Sequence, residues 1–160
     1  MVDTENTPEP DDGPRVDVEM SDAEIVDVLR CAGYGVLSLA DDGTAYSLPM
    51  SYGVDGDADA LVFQFVSYDG SEKRAFVERT DAASFAVNCP RDGELWSVVV
   101  TGPIAPVSAD DVPEAYAAIA DSAWFPDTTV FDGPLTEADL ELFELSVESA
   151  TGRKAHGFDV

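Results

Sequence analysis

Basic residues are scarce in this chain. Only Lys73 and Lys154 are lysines, joined by Arg15, Arg30, Arg74, Arg79, Arg91 and Arg153, against 33 acidic residues and a formal net charge of −25. A field of that sign repels phosphate backbones and anionic headgroups, so no nucleic acid and no membrane partner is expected. Histidine is limited to His156, and the two cysteines, Cys31 and Cys89, stand without CxxC spacing. No metal site is therefore expected. The default reading of the cysteines is two buried free thiols, with a disulfide left open, and His156 reads as a tail residue. No apolar run approaches the roughly 18 residues of a membrane helix, and no signal peptide opens the chain, so the expectation is a soluble, cytoplasmic protein.

What is abundant is acid, on an ordinary apolar background of 45% hydrophobic residues. Self-repulsion on this scale destabilises a compact domain in dilute buffer, where the Debye length is roughly 10 Å or more, and largely vanishes near 1 M salt, where it is about 3 Å. Acids continue from Asp22 to Asp159 and are not confined to a terminus. The pattern reads as adaptation to a salt-rich cytoplasm, as in halophilic microbes.

Residues 1–18, with Pro8, Pro10 and Pro14 among Asp3, Glu5, Glu9, Asp11, Asp12 and Asp17, bury too little apolar surface to offset their ordering entropy. They read as an acidic disordered tail, followed by one domain over 19–155 and a C-terminal tail over 156–160. Order is expected from Ser21, where Ser21 and Glu24 fit a capping box ahead of Ile25, Val26, Val28 and Leu29, and Gly33 stops the helix. Tyr34 to Ala40, Thr44 to Val54 and Ala60 to Ser67 read as strands, separated by turns at Asp41-Asp42-Gly43 and Asp55-Gly56-Asp57. Pro49 cannot donate a ladder hydrogen bond and marks an edge or bulge. A helix is expected over Glu72 to Arg79, strands over Ser84 to Asn88 and Leu95 to Val107 with a break at Gly102-Pro103, and a helix from Pro113 to about Asp121. Thr136 reads as a cap of a short turn and Leu142 to Ser149 as the sixth strand. The fold class is mainly β: a six-stranded antiparallel split barrel with Greek-key connections and peripheral helices. A barrel this small fills its own interior, so a cofactor sits outside, at a subunit interface or under a helix.

Four segments in order carry a resemblance: Gly35-Val36-Leu37-Ser38-Leu39, Ala45-Tyr46-Ser47-Leu48-Pro49-Met50-Ser51-Tyr52, Gly70-Ser71-Glu72-Lys73-Arg74 and Trp96-Ser97-Val98-Val99-Val100-Thr101-Gly102. Their spacing resembles the FMN-binding split-barrel superfamily, in its pyridoxamine 5'-phosphate oxidase-like and nitroimidazole-resistance-like branch, over about Ser21 to Lys154. The resemblance implies a homodimer with flavin at the subunit interface. It implies backbone contact with the ring along Pro49, Met50, Ser51 and Tyr52, phosphate held by Ser67, Lys73 and Arg74, and Trp96 and Ser97 supplied across the interface. Each placement has a physical reason. A helix N-terminus near Glu72 offers backbone donors and a favourable dipole to phosphate, the lysine and arginine add charge where the chain has little, and Trp96 offers a flat apolar face. The chain lacks the Arg-x-His-x-Arg-like stretch of true pyridoxamine-phosphate oxidases, which argues against a vitamin B6 phosphate as substrate. It reads Phe63-Gln64-Phe65 where many nitroimidazole-resistance relatives carry a histidine.

The function implied is an FMN-dependent oxidoreductase acting on a small-molecule substrate, with the cofactor doing most of the chemistry. The alternatives are a flavin carrier or sensor without turnover, a deazaflavin (F420)-dependent reductase, and a structural dimer without cofactor.

Overall fold

A computed structural model describes residues 18–124 and 139–156 of the chain. Helix α1 (Asp22–Ala32) begins with the expected reciprocal cap: the Glu24 amide donates to Ser21 Oγ at 3.3 Å and the Ser21 amide to Glu24 Oε1 at 3.1 Å. It buries Ile25, Val28 and Leu29. Strands β2 (Tyr34–Asp41) and β3 (Thr44–Ser51) form a hairpin whose Asp42 and Gly43 both take positive φ, the turn geometry that matches strand twist. A second Asp-Gly turn, at Asp92 and Gly93, joins β6 (Ala82–Arg91) to β7 (Glu94–Pro106). With that turn made, β6 runs well past the expected Ser84 to Asn88, while β7 keeps the expected length, shifted by one residue. Helix α2 (Glu72–Arg79) has the bounds expected of it, and α3 spans Val112–Ser122.

The sheet runs in the order β3-β2-β6-β7-β8-β5-β4, with β9 on β7 and the two-residue β1 (Val18–Glu19) on β9. Order therefore starts before Ser21, and Val18 belongs to the sheet rather than to the tail. Strand β7 serves both halves of the barrel. Glu94 to Thr101 pair with β9 (Ser149–His156), whereas Ile104 to Pro106 pair with β8 (Asp139–Ser146). The changeover falls at Gly102, where a Cβ would lie 1.7 Å from the Ser146 carbonyl oxygen. Gly102-Pro103 thus marks a change of partner within a continuous strand, not an interruption.

Two further expectations are corrected. The stretch Thr44 to Val54 divides at Tyr52 into β3 and β4 (Gly53–Asp55), because the chain leaves one half of the barrel and joins β5 (Ala60–Ser67) of the other. The single late strand is two strands, β8 and β9, since the Val147 and Glu148 amides turn away to the Asp59 and Thr101 carbonyls. Gly152, Arg153 and Lys154 therefore lie inside a strand, and the backbone of His156 pairs with Glu94. The Thr136 cap, residues 1–17 and residues 157–160 lie outside the described residues. Among the described residues no ladder joins β3 to β5; this is the split. The interior is packed around Tyr52, Phe63 and Phe85, with ring centroids 4.8 to 6.4 Å apart. Both cysteines are free, and Cys31 is exposed rather than buried.

Candidate functional site

Strand alternation gives each strand an inward and an outward set of side chains. On β3, β2, β6, β7 and β9 the outward set is made of cross-strand rows such as Ser51–Tyr34, Pro49–Val36–Ala86–Val99–Thr151 and Asn88–Ser97–Arg153. No Asp or Glu occupies an outward position on these five strands, and Arg153 is the one charged residue there. Tyr34 and Val36 are each 40% exposed, Leu95 44% and Val99 42%. In a chain with 33 acids this is a broad, neutral, partly apolar surface.

The edge strand β3 borders it. Pro49 is exposed, Met50 and Ser51 are half-buried, and Tyr52 is fully buried. The Tyr52 hydroxyl donates to the Leu29 carbonyl at 2.5 Å, and burial pushes the phenol well above its ordinary value. Its side chain is thus a core pillar, and its amide is engaged as well, donating to the Gly33 carbonyl.

At the other end of β3, Tyr46 stacks on Phe76 of α2 with centroids 5.0 Å apart and planes 16° from parallel, which fixes α2 beside the split. Ser67 ends β5 next to the loop that enters this helix. It is 1% exposed, and its Oγ has no hydrogen-bond partner among the described residues. The N-cap Ser71 makes no side-chain cap bond, so the first-turn amides of α2 are not satisfied by it. Lys73 is half-buried on the first turn. A buried hydroxyl, uncapped amides and an ammonium suit an oxyanion.

Arg74, expected to grip phosphate, is already engaged. Its Nε bonds Glu78 at 3.1 Å, and its two terminal nitrogens bond Asp139 at 2.7 Å and Glu141 at 2.8 Å. Those carboxylates, Glu78 foremost, raise its affinity for its proton. Every face of the guanidinium fork is used within the chain, so Arg74 ties α2 to β8. Trp96 is also committed. Arg91 and Lys154 lie over its ring at 5.0 and 4.7 Å from the centroid, and its indole N–H donates to Glu94 at 2.8 Å. Arg91 in turn holds Asp27 at 2.8 Å and donates to the Cys31 thiol at 3.3 Å, while Lys154 pairs with Glu24. Trp96 therefore points inward beneath α1. Ser97, its outward neighbour, lies on the neutral face opposite Asn88 and Arg153.

The structure thus brings Pro49, Met50, Ser51, Ser67 and Lys73 to the margin of the split, and turns Tyr52, Arg74 and Trp96 to structural work. The sequence reading passed over Tyr34 and Trp124. Trp124, 56% exposed, meets Tyr34 edge-to-face at 5.6 Å, and the Ser51 hydroxyl donates to its carbonyl. A Gly-Tyr-Gly segment and a tryptophan just after a helix were the available signals.

The sequence pattern described as Pyridoxamine 5'-phosphate oxidase matches residues 21–154. No curated protein sequence matches the chain. Among solved structures it is similar to the FAD binding protein from Mycobacterium smegmatis, with TM-score 0.64 and 19% identity over 89% of this chain and 100% of that one. It is similar to a FAD-binding protein from Mesorhizobium loti, with TM-score 0.67 and 21% identity over 88% and 97%. A third, the FAD and heme binding protein from Mycobacterium smegmatis, gives TM-score 0.63 and 16% identity over 88% and 74%.

Proposed function

The chain belongs to the pyridoxamine 5'-phosphate oxidase family, and on that premise we propose that it is a flavoprotein: a homodimer that holds FMN beside β3 and acts as an oxidoreductase on a small molecule. The observation that carries this reading is the neutral outward face of the five-stranded half. A surface left free of carboxylates in a chain of net charge −25 is one that a second, equally acidic copy can approach. Because β3 is the margin of that face, a ligand lying along Pro49 and Ser51 is enclosed by the approach of the second copy. The flavin named in all three of these solved neighbours supports the choice of ligand class.

The residues that fit the cofactor adjoin the start of α2. Ser67 Oγ is buried and unpaired among the described residues, and Ser71 leaves the amides opening α2 without a side-chain cap; together with the charge of Lys73 they would hold the phosphate. Arg74 holds that helix in place through β8. The backbone of Pro49, Met50 and Ser51 would lie along the ring, with Ser97 reaching it from the second copy. A bound flavin supplies hydride or single-electron transfer, and the protein supplies orientation and exclusion of water.

The test is purification of the full chain in molar salt, with light scattering for mass and mass spectrometry of the released cofactor. A yellow dimer releasing FMN, and bleached by a nicotinamide donor, is the expected result. Release of FAD or of a deazaflavin would correct the cofactor and keep the site. A colourless monomer that takes up none of the three would overturn the reading.

A further inference from the structure

Helix α1, strand β3 and helix α3 all end at one carbonyl. The amides of Tyr52 and Trp124 both donate to the Gly33 oxygen, at 3.2 and 2.9 Å. Gly33 has φ +65, and a Cβ there would stand 2.6 Å from the Trp124 nitrogen, so only glycine lets the α3 end come this close. The Ser51 hydroxyl adds a bond to the Trp124 carbonyl. The Trp124 backbone is therefore held at both its amide and its carbonyl, yet the residue is left more than half exposed, with its ring beside that of exposed Tyr34. Such anchoring of an uncovered aromatic pair does nothing for the core. It presents a rigid apolar wall at low entropic cost to whatever meets it.

The position of this wall along β3 indicates what meets it. α2 touches β3 at Tyr46, on its inward set, and Trp124 touches it at Ser51, on its outward set, so a ligand that reaches both follows the unpaired edge of β3. Five residues of strand separate the two, roughly 16 Å at 3.3 Å per residue. One end offers a buried hydroxyl, uncapped amides and Lys73, which suit an oxyanion; the other offers two aromatic rings. That polarity, charged at one end and flat at the other over the length of one extended nucleotide-sized ligand, matches a flavin mononucleotide laid along the strand.

Resting on the flavin reading above, we propose that Trp124 and Tyr34 are the ring-binding wall of the site, and that the flat end of the flavin packs against the Trp124 indole. The role that the sequence assigned to Trp96 belongs to the other tryptophan.

The test uses the full chain in molar salt with FMN and riboflavin as probes, read by binding affinity, by emission of the bound flavin and by particle mass. Trp124→Leu is expected to weaken FMN and riboflavin equally, by about tenfold, the equivalent of about 1.4 kcal/mol. It should also raise the emission of bound flavin several-fold, since an indole in contact quenches it. Trp124→Phe should restore affinity but not quenching, and Trp96→Phe should change neither. Lys73→Glu, by contrast, should weaken FMN and leave riboflavin alone. Unchanged affinity and emission in Trp124→Leu would overturn the proposal, as would a variant that falls apart into monomers while each remaining dimer binds flavin as before. A wild-type chain that binds no flavin would sink the functional reading itself, and shows before any substitution is made.

Discussion

The outward face of the five-stranded half and the helical flank of the molecule are built from opposite materials. On the strands, Ser, Thr, Ala, Val, Asn and Pro follow one another without a carboxylate, although alternation leaves these positions exposed. On the helices and the strand beside them, carboxylates gather in two clusters, Glu24 and Asp27 on α1 and Glu78, Asp139 and Glu141 on α2 and β8, and cations are spent on them or nearby: Arg74 on three acids, Arg79 on Asp41, Arg91 on Asp27, Lys154 on Glu24 and Arg30 near Asp57. The difference teaches where the charge does harm. On the reading proposed above, acids are tolerated wherever water and salt can screen them, and excluded where a second copy would cover the surface.

The largest expected effect comes from erasing the contrast. Val99→Glu places a carboxylate in the middle of the neutral face, opposite Ala86 and Thr151. Light scattering in molar salt should fall to the mass of one chain, and flavin should be lost with it. The same charge added at exposed Ala23 on α1 should leave mass unchanged and stability within about 0.5 kcal/mol. Retention of the dimer in Val99→Glu would mean that the face is bare for another reason.

Next in size is the response of the acidic flank to screening. Raising salt from about 0.1 M to 1 M shortens the Debye length from about 10 to 3 Å, and the melting temperature should rise on the order of 10 °C, a few kcal/mol in a domain of this size. A flat profile by calorimetry would contradict the reading of the charge as adaptation to brine. Smaller again, Arg74→Gln leaves Glu78, Asp139 and Glu141 facing one another without their shared cation. Its melting temperature should drop further below wild type in dilute buffer than in molar salt.

The smallest effect is at Glu24. The Lys154 ammonium first, and then the Ser21 amide, hold its carboxyl below the usual carboxylate range. A depressed native value gives stability that is present above the unfolded value, about 4.3, and that fades as pH falls below it. Glu24→Gln should therefore lie slightly below wild type at neutral pH and meet it in acid, which denaturant titration at two pH values would detect.

Local signals carried most of the fold. The Ser21–Glu24 cap and the Asp42-Gly43 turn act within a few residues, so helix α1 and the first hairpin could be read directly, as could helix α2. The corners at Tyr52, Gly102 and Val147-Glu148 could not, because a change of ladder partner leaves the period-two pattern of a strand intact. Which candidate side chains are already engaged within the chain was not legible, for the same reason. Arg74 looks like a free cation until β8, some 65 residues later in the chain, brings Asp139 and Glu141 to it. Trp96 looks like an open face until Lys154 folds over it.

One strand has a bearing on how the molecule comes apart. Since β7 is a rib common to both halves, neither half can loosen while the other keeps its ladder, and a lone half-barrel is not an available resting state. The amides of Val98 and Val100, mid-rib and fully buried, should be among the last to exchange with deuterium, and should do so only through opening of the whole domain. Truncation before β9 would strip one flank of that rib and forfeit the entire fold rather than a terminal strand.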